Sequence, residues 1–146
     1  MRIDLVRTDE ERLACFEVLR ELRPALVRER FLDDLARMAG QGFALAALWD
    51  PDVRAVAGFR PMEMFSTGPI LYVDDLVTAA AHRGKKYGAA LLSFLNGHAL
   101  ARGCRFLELD SGLQRLDAHR FYRREGLEDV ALHFSRPTGS GERWKI

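Results

Sequence analysis

The spacing of apolar residues along the 146-residue chain predicts a strand and a helix at its start. Alternating residues over 1–6 favour a short strand. Thr8 and Glu11 follow with the spacing of a capping box, which marks the N-terminus of a helix. Apolar side chains then recur about once per helical turn, and Pro24 closes the segment. These apolar positions are Leu13, Phe16, Leu19 and Leu22.

The remaining pattern predicts a mixed α/β fold, of the α+β type. Strands that resemble hairpins come first and a strand–helix–strand unit comes later, so we expect a mixed, mostly antiparallel sheet with helices on both faces. The tail over 138–146 is predicted to be frayed or an edge segment. The elements predicted in between are a helix over 27–38, strands over 43–49, 53–59 and 70–77, a helix over 89–102, a strand over 105–110, a helix over 116–125 and a strand over 131–136.

Length and composition predict one domain over residues 1–146. The chain is 48% hydrophobic and has a net charge of +1, which argues against nucleic acid as a partner. No apolar run approaches the ~20 residues of a membrane helix, so we expect no membrane association. The N-terminus has no apolar signal core and the two cysteines form no disulfide framework, so we expect a reduced, cytoplasmic setting. Cys15 and Cys104 have neither metal-ligand spacing nor a disulfide pattern, so no metal site is expected.

The segment HRGKKYGAALL, residues 82–92, has the composition of an anion site. It lies between a predicted strand and a predicted helix, where backbone N–H groups at the helix N-terminus can bind phosphate. Gly84 and Gly88 permit close approach of a ligand to the backbone. The nucleotide-binding loop with Lys-Ser/Thr after its last glycine does not match, because Ala89 and Ala90 follow Gly88. A basic turn that needs glycine only for its geometry is the alternative.

Two motifs occur in the order and spacing typical of a known family. RGKKYG, residues 83–88, is preceded by YVDDLVT and followed by AALL, which is similar to the acetyl-CoA signature of the GNAT family of N-acetyltransferases. LELDSG followed by AHRFYRREGL is similar to the family's late strand and helix. Lys86 departs from the pattern, because it stands where the family has its first motif glycine.

The resemblance implies that acetyl-CoA is the cosubstrate and that no metal takes part. It implies a cleft between two splayed parallel strands, with the pantetheine arm bonded by Leu76, Val77 and Thr78. The turn would hold the pyrophosphate. The residues implied for that role are Arg83, Gly84, Lys85, Lys86, Tyr87, Gly88 and Ala89.

The resemblance also implies catalytic roles for three side chains. Tyr122 would donate a proton to the departing thiolate, and the alternative is an aromatic core residue. Asp74 and Asp75 would attract the amine and remove its proton, and the alternative is a structural role. Because neighbouring strand residues face opposite sides, we expect only one of the two aspartates to face the cleft.

The implied activity is direct transfer of an acetyl group from acetyl-CoA to a primary amine of a small molecule, or of a peptide or protein. A non-catalytic acyl-CoA sensor and an acyltransferase that uses another acyl-CoA are the alternatives. A small-molecule amine is favoured over a protein as partner, and the resemblance allows a homodimer. Acceptor contacts are expected from residues 22–31 and 62–66, with Met62, Met64 and Phe65 in a loop before the central strand.

Overall fold

The computed structural model describes residues 1–139 and residue 141. The described chain forms five strands and four α-helices, with a short 3₁₀ turn at Ala80–His82 ahead of α3. None of its helices is both long enough and apolar enough to cross a membrane. In chain order the elements are β1 (Arg2–Leu5), α1 (Asp9–Leu22), α2 (Arg28–Ala39), β2 (Ala44–Trp49), β3 (Val53–Met64), β4 (Gly68–Thr78), α3 (Tyr87–Ala101), β5 (Phe106–Leu109) and α4 (Leu116–Arg124).

The predicted capping box is confirmed at the start of α1. The Thr8 hydroxyl accepts a hydrogen bond from the Glu11 N–H at 3.1 Å, and the Glu11 carboxylate accepts one from the Thr8 N–H at 3.1 Å. Two of the N–H groups that a helix start leaves without intrahelical partners are therefore bonded. Caps of this kind contribute about 1 kcal/mol each.

The sheet confirms the predicted mixed, mostly antiparallel fold. Its strand order is β1-β2-β3-β4-β5, with antiparallel pairs throughout except for the parallel pair β4–β5. One apolar core, which includes Phe16, Phe31 and Phe43, packs α1 and α2 on one face. A second core, which includes Leu91 and Leu95, packs α3 on the other face.

The hairpin of β3 and β4 is longer than predicted. Its ladder continues to the Met64–Gly68 pair, so Met62 and Met64 lie in β3 and the predicted loop there is wrong. The extension could not be predicted from the sequence because Pro61 and Pro69 lie in it, and proline normally interrupts a strand. β2 pairs with β3 only as far as Phe59, so proline is tolerated beyond that point on an edge.

The chain divides into two compact units, residues 1–109 and 110–146. The first contains the sheet with α1, α2 and α3, and the second contains α4. The predicted strand over 131–136 is wrong, because those residues form no strand and Leu132 and Phe134 are exposed. Alternation favours a strand, but a strand also needs a partner for its hydrogen bonds. Most of the predicted frayed tail, residue 140 and residues 142–146, lies outside the described residues.

The two cysteines should differ sharply in reactivity. Cys15 is fully buried in α1, and burial, reinforced by the nearby charge of Glu11, raises the pKa of its thiol to about 12. Cys104 is partly exposed. We expect a disulfide reagent such as DTNB to titrate one thiol rapidly in the native protein and two after unfolding, because only thiolates react. Rapid reaction of both native thiols would contradict the buried position of Cys15.

Candidate active site

The edge of β4 is left without a β5 partner over its last residues. Within the described chain, β5 pairs with β4 only from Ile70 to Val73, whereas β4 runs on to Thr78. In an antiparallel ladder, alternate backbone groups point toward the neighbouring strand and away from it. Part of the backbone of Leu76, Val77 and Thr78 therefore points to the side from which β5 has ended. An extended chain with amide groups could hydrogen-bond to this edge.

A β-bulge at Asp74 changes the direction of the two aspartates. Asp75 pairs with Gly58 and Val73 pairs with Phe59, so Asp74 is the additional residue in β4. We expected only one of the two aspartates to face the cleft, and the premise of that expectation is therefore wrong. Regular alternation, on which that expectation depended, is interrupted between the two residues.

Both carboxylates lie on the face that carries Phe43. The Asp74 carboxylate bonds to Arg60, whose guanidinium carbon lies 5.1 Å from the centre of the Phe43 ring. A β-carbon built on Gly58 would lie 3.0 Å from Asp75 Oδ2 and 2.5 Å from Phe43 Cζ, so Asp75 reaches the same surface. The bulge has placed two adjacent acids beside each other rather than on opposite faces.

An arginine holds each aspartate, and the four side chains of Arg23, Arg60, Asp74 and Asp75 are called the arginine–aspartate cluster below. Arg60 donates from Nε and Nη2 to the two Asp74 oxygens at 3.2 and 2.7 Å. Arg23, just after α1, donates from Nε to Asp75 Oδ1 at 2.7 Å and from Nη2 to the Asp74 carbonyl at 3.2 Å. The formal charge of the cluster is zero.

Burial makes Asp74 a weaker acid. Its pKa is raised, chiefly by loss of solvent, and the hydrogen bonds and charge of Arg60 oppose the shift. The negative charge of Asp75 adds to the increase. A carboxylate with a raised pKa is a stronger base than an exposed aspartate, which suits it to accept a proton from an amine.

Gly58 is required by the close approach of Phe43 to β3. An added β-carbon would meet the Phe43 ring at 2.5 and 2.8 Å, and this ring is fixed in the core of the α1 face. We expect Gly58→Ala to lower the free energy of unfolding by about 1–3 kcal/mol, as overpacked cores do. Urea denaturation measures this. Gly97→Ala is the control: it lies in α3 with no atom within 4 Å of its β-carbon, and it should stabilise by about 0.5–1 kcal/mol. Equal stability of the Gly58 variant and the natural chain would contradict the packing described.

The turn before α3 combines two left-handed residues with exposed cations. Gly84 has a φ of +83°, and no atom lies within 4 Å of the position that a β-carbon would take, so its backbone is open to a ligand. Lys86, at the N-cap of α3, has a φ of +64° and is the one non-glycine residue of the described chain with positive φ. Arg83, Lys85 and Lys86 are exposed. The conformation at Lys86 explains why a glycine is expected there.

Contacts to the β2–β3 hairpin anchor the turn. The buried Tyr87 donates from its hydroxyl to Asp50 Oδ2 at 2.5 Å, and Arg54 Nε donates to the Asp50 carbonyl at 2.9 Å. Arg54 Nη1 lies 2.7 Å from His82 Nε2, which must accept because arginine only donates. The Tyr87 bond lowers the pKa of Asp50 and raises that of Tyr87. The Tyr87 side chain thus holds the turn, and its backbone is the part left to face a ligand.

Tyr122 lies in the second unit, on α4. Its ring is half-buried and meets the edge of Phe121, with the ring centres 5.4 Å apart. The helix is closed after it by a hydrogen bond from the Leu127 N–H to the Tyr122 carbonyl at 3.0 Å. Arg123 donates to both carboxylate oxygens of Asp129, at 2.9 and 2.6 Å, just beyond the helix.

Sequence reasoning predicted site roles for the turn and for both aspartates, but it did not connect Arg23 and Arg60 with them. Arg23 is 52 positions from Asp75 and Arg60 is 14 positions from Asp74. Nothing in the local pattern connects them. A useful signal would have been the two adjacent acids in an apolar strand, because partly buried carboxylates require partners.

The chain belongs to the GNAT family of acetyltransferases, whose family model matches residues 5–127. Among its relatives is YhdJ of Bacillus subtilis strain 168, an uncharacterized N-acetyltransferase. The two are 39% identical over 115 residues, which cover 77% of this chain and 81% of the relative. The aminoalkylphosphonate N-acetyltransferase of Salmonella typhimurium strain LT2 is 36% identical over 64 residues, which cover 44% of this chain and 42% of that protein.

Solved structures show the same fold. A putative acetyltransferase from Agrobacterium tumefaciens strain C58 superposes with a TM-score of 0.81 at 19% identity, covering 94% of this chain and 100% of its own. The aminoglycoside N-acetyltransferase AAC(6')-Iy, solved in complex with CoA, gives a TM-score of 0.80 at 14% identity over 94% and 96% of the two chains. At these identities the likeness concerns the fold.

Proposed function

We propose that the protein transfers the acetyl group of acetyl-CoA directly to a primary amine of a small molecule. The observation that carries the proposal is β4 itself. Among the described residues, no strand pairs with this edge of β4 past the end of β5, and at its bulge β4 carries two adjacent carboxylates. The turn that follows leads into the N-terminus of α3, where backbone N–H groups lack intrahelical partners. In this proposal one strand would carry both the cosubstrate site and the site for the cationic amine.

The residues of β4 and the turn suit acetyl-CoA. Leu76, Val77 and Thr78 would bond the amide groups of the pantetheine arm with their backbone. The N–H groups at the start of α3 and of the turn would hold the pyrophosphate, with the helix dipole and the cations of Arg83 and Lys85 adding positive potential. The open space at Gly84 lets a phosphate approach the backbone closely. Lys86 at the N-cap, and Tyr87, Gly88 and Ala89 in the first turn of α3, would contribute backbone N–H groups to the same site.

The side chains then have two tasks. Bound acetyl-CoA supplies a thioester that a free amine attacks without an acyl-enzyme. Asp75 would attract the substrate ammonium, and Asp74, with its raised pKa, would accept the proton that the amine loses. Tyr122 would donate a proton to the departing thiolate, a role that its position in the FYRREG motif suggests.

The acceptor is proposed as a small amine. Two similar proteins are named for such acceptors, an aminoalkylphosphonate and an aminoglycoside. The neutral balance of charge in this chain does not favour a strongly basic or acidic macromolecule as partner. A cytoplasmic location and a homodimer stay predictions.

The test is acetyl transfer from acetyl-CoA to a panel of small primary amines. The rate of transfer is measured as the release of free CoA thiol. Calorimetry on the same preparation measures binding of acetyl-CoA alone. Release of thiol that depends on the amine supports the proposal. Tight binding without turnover of any amine would indicate a sensor instead. Absence of both binding and turnover would exclude the proposed activity.

Lys86→Gly should stabilise the protein while leaving cosubstrate binding nearly unchanged. A lysine with positive φ costs about 1–2 kcal/mol relative to an unstrained residue, so we expect the free energy of unfolding to rise by about 1 kcal/mol. Backbone N–H groups supply most of the grip on phosphate, so the Kd for acetyl-CoA should stay within about threefold. Urea denaturation and calorimetry measure the two effects.

Lys85→Gly is the matched control, because it removes the same charge where φ is not positive. It should bring no gain in stability. A loss of acetyl-CoA affinity beyond about tenfold in Lys86→Gly, about 1.4 kcal/mol, would mean that the lysine itself holds a phosphate.

A further inference from the structure

Lys86 adopts a backbone conformation that a lysine does not favour. Its φ of +64° lies in the left-handed region, where the β-carbon crowds the following carbonyl oxygen. A residue persists in such a conformation only when the surrounding structure holds it there. Lys86 is exposed, and within the described chain its side chain makes no capping hydrogen bond to α3. The conformation must therefore be held by the residues on either side of it.

The residue after Lys86 is fixed by its ring and by its hydroxyl. Tyr87 is 8% exposed and its ring lies in the second apolar core, against the α3 face of the sheet. The hydroxyl donates to Asp50 Oδ2 at 2.5 Å. Hydrogen bonds to a carboxylate are stronger than those between neutral groups. The bond to Asp50 thus fixes the first residue of α3, and with it the peptide group that joins Lys86 to Tyr87.

Arg54 holds Asp50 and the start of the same turn. Its Nε donates to the Asp50 carbonyl at 2.9 Å, and its own carbonyl accepts from the Ala79 N–H at 2.8 Å. Its Nη1 lies 2.7 Å from His82 Nε2. The β2–β3 hairpin therefore holds the chain on both sides of residues 83–86, which are themselves exposed.

We propose that Asp50 is a positioning residue for the cosubstrate: through the Tyr87 hydroxyl it keeps Lys86 left-handed, and so keeps the N–H groups of the turn in place for the pyrophosphate. The inference rests on the proposed binding of acetyl-CoA. A turn that already has its bound conformation loses less entropy when the ligand binds, so its affinity is higher. Asp50 thereby makes a lysine acceptable where glycine would adopt the same φ without support.

The charge of Asp50 acts in the opposite direction from its hydrogen bond. The pKa of Asp50 is lowered first by the bond from Tyr87, and also by nearby positive charges that include Lys85. A carboxylate in this position offsets part of the positive potential that would attract a phosphate. Loss of the charge alone should therefore not weaken phosphate binding. An experiment on Asp50 has to separate its charge from its role as an acceptor.

The experiment compares Asp50→Asn with Asp50→Ala. Both variants lose the charge, but asparagine keeps a carbonyl oxygen that can accept from the Tyr87 hydroxyl and alanine does not. We expect the Kd for acetyl-CoA, measured by calorimetry, to be about tenfold higher in Asp50→Ala than in Asp50→Asn, about 1.4 kcal/mol. Tyr87→Phe keeps the ring and loses only the hydroxyl, so its Kd should rise about tenfold above that of the natural chain.

A second background tests whether Lys86 transmits the effect. Glycine adopts positive φ without support, so in Lys86→Gly the bond to Asp50 has less to hold. We expect the ratio of Kd values, Asp50→Ala over Asp50→Asn, to fall to within about threefold in that background. Lys85→Gly is the matched background, because it removes the same charge where φ is not positive, and the ratio should stay near tenfold. A purely structural role of Asp50 would give the same ratio in every background.

The outcomes separate the inference from the function on which it rests. Equal Kd values for Asp50→Ala and Asp50→Asn overturn the positioning role, while the binding of acetyl-CoA stands. A ratio that stays near tenfold with Lys86→Gly overturns the route through Lys86. Thermal unfolding establishes that Asp50→Ala is folded, and Tyr87→Phe compared with the natural chain replaces it if it is not. No binding of acetyl-CoA by the natural chain overturns both proposals.

Discussion

Tyr122→Phe should lower kcat about a hundredfold, the scale of a lost general acid, and leave the KM for acetyl-CoA within about threefold. A phenol with a pKa of about 10 can donate to a leaving thiolate whose conjugate acid has a pKa of about 8.5, and phenylalanine cannot donate. Phenylalanine retains the ring and its edge contact with Phe121, so the fold of α4 should persist. Steady-state kinetics with a saturating amine measures the effect.

The control for this variant removes a hydroxyl elsewhere. Tyr87→Phe loses the hydrogen bond to Asp50 that anchors the turn, and its kcat should stay within about twofold because no proton transfer involves it. An unchanged kcat in Tyr122→Phe would show that the thiolate obtains its proton from another donor, such as water. The motif position of Tyr122 would then reflect packing rather than catalysis.

Asp75→Asn should lower kcat/KM for the amine by about a hundredfold, as expected when one partner of a partly buried ion pair is neutralised. Asparagine has nearly the same shape but cannot hold the substrate ammonium by charge. It also removes a negative charge beside Arg23, so the local potential becomes more positive and disfavours the amine. The dependence of the initial rate on amine concentration at fixed acetyl-CoA gives the value.

The pH dependence of this variant has a predictable direction. The pKa of Asp74 is raised chiefly by burial and also by the negative charge of Asp75. Removing that charge lowers the pKa of Asp74, so this residue loses its proton at a lower pH. The acidic limb of the kcat/KM profile should therefore move to lower pH in Asp75→Asn.

A surface aspartate provides the comparison. Asp34→Asn removes an equal charge from α2, where it pairs with Arg37 at the surface, and should change neither the rate nor the profile. If Asp75→Asn behaved in the same way, Asp75 would be a structural partner of Arg23 and nothing more.

Local sequence signals were sufficient for most of the fold. The capping box at Thr8 and the apolar spacing after it predicted α1, because both depend on residues within one or two helical turns. The signals failed where tertiary context decides. Pro61 and Pro69 obscured the long β3–β4 hairpin. Proline is acceptable at these positions because β2 pairs with β3 only as far as Phe59 and β5 pairs with β4 only from Ile70 onward. Apolar alternation over 131–136 was not sufficient to form a strand.

The candidate site also has one part that the sequence could predict and one part that it could not. The turn over residues 83–88 is contiguous, so its glycines and cations could be found from sequence. Its left-handed Lys86 could be suspected only by comparison with the family pattern. The arginine–aspartate cluster could not be predicted, because Arg23 and Arg60 come from α1's end and from β3. Alternation also assigned Asp74 and Asp75 to opposite faces, since a bulge has no reliable local signature.

The bulge also determines which residues of β4 face each of the two apolar cores. Before it, the odd-numbered residues Leu71 and Val73 pack on the side of α3, and after it the even-numbered Leu76 does so while Val77 packs on the side of α1. Deletion of one of the two adjacent aspartates would restore an uninterrupted ladder. Every apolar residue of β4 would then stay on its present side of the sheet. Insertion or deletion of one residue anywhere else in the strand would exchange the two faces. Variation in the length of this strand is thus compatible with the fold at one point, which is also the point that carries the acids.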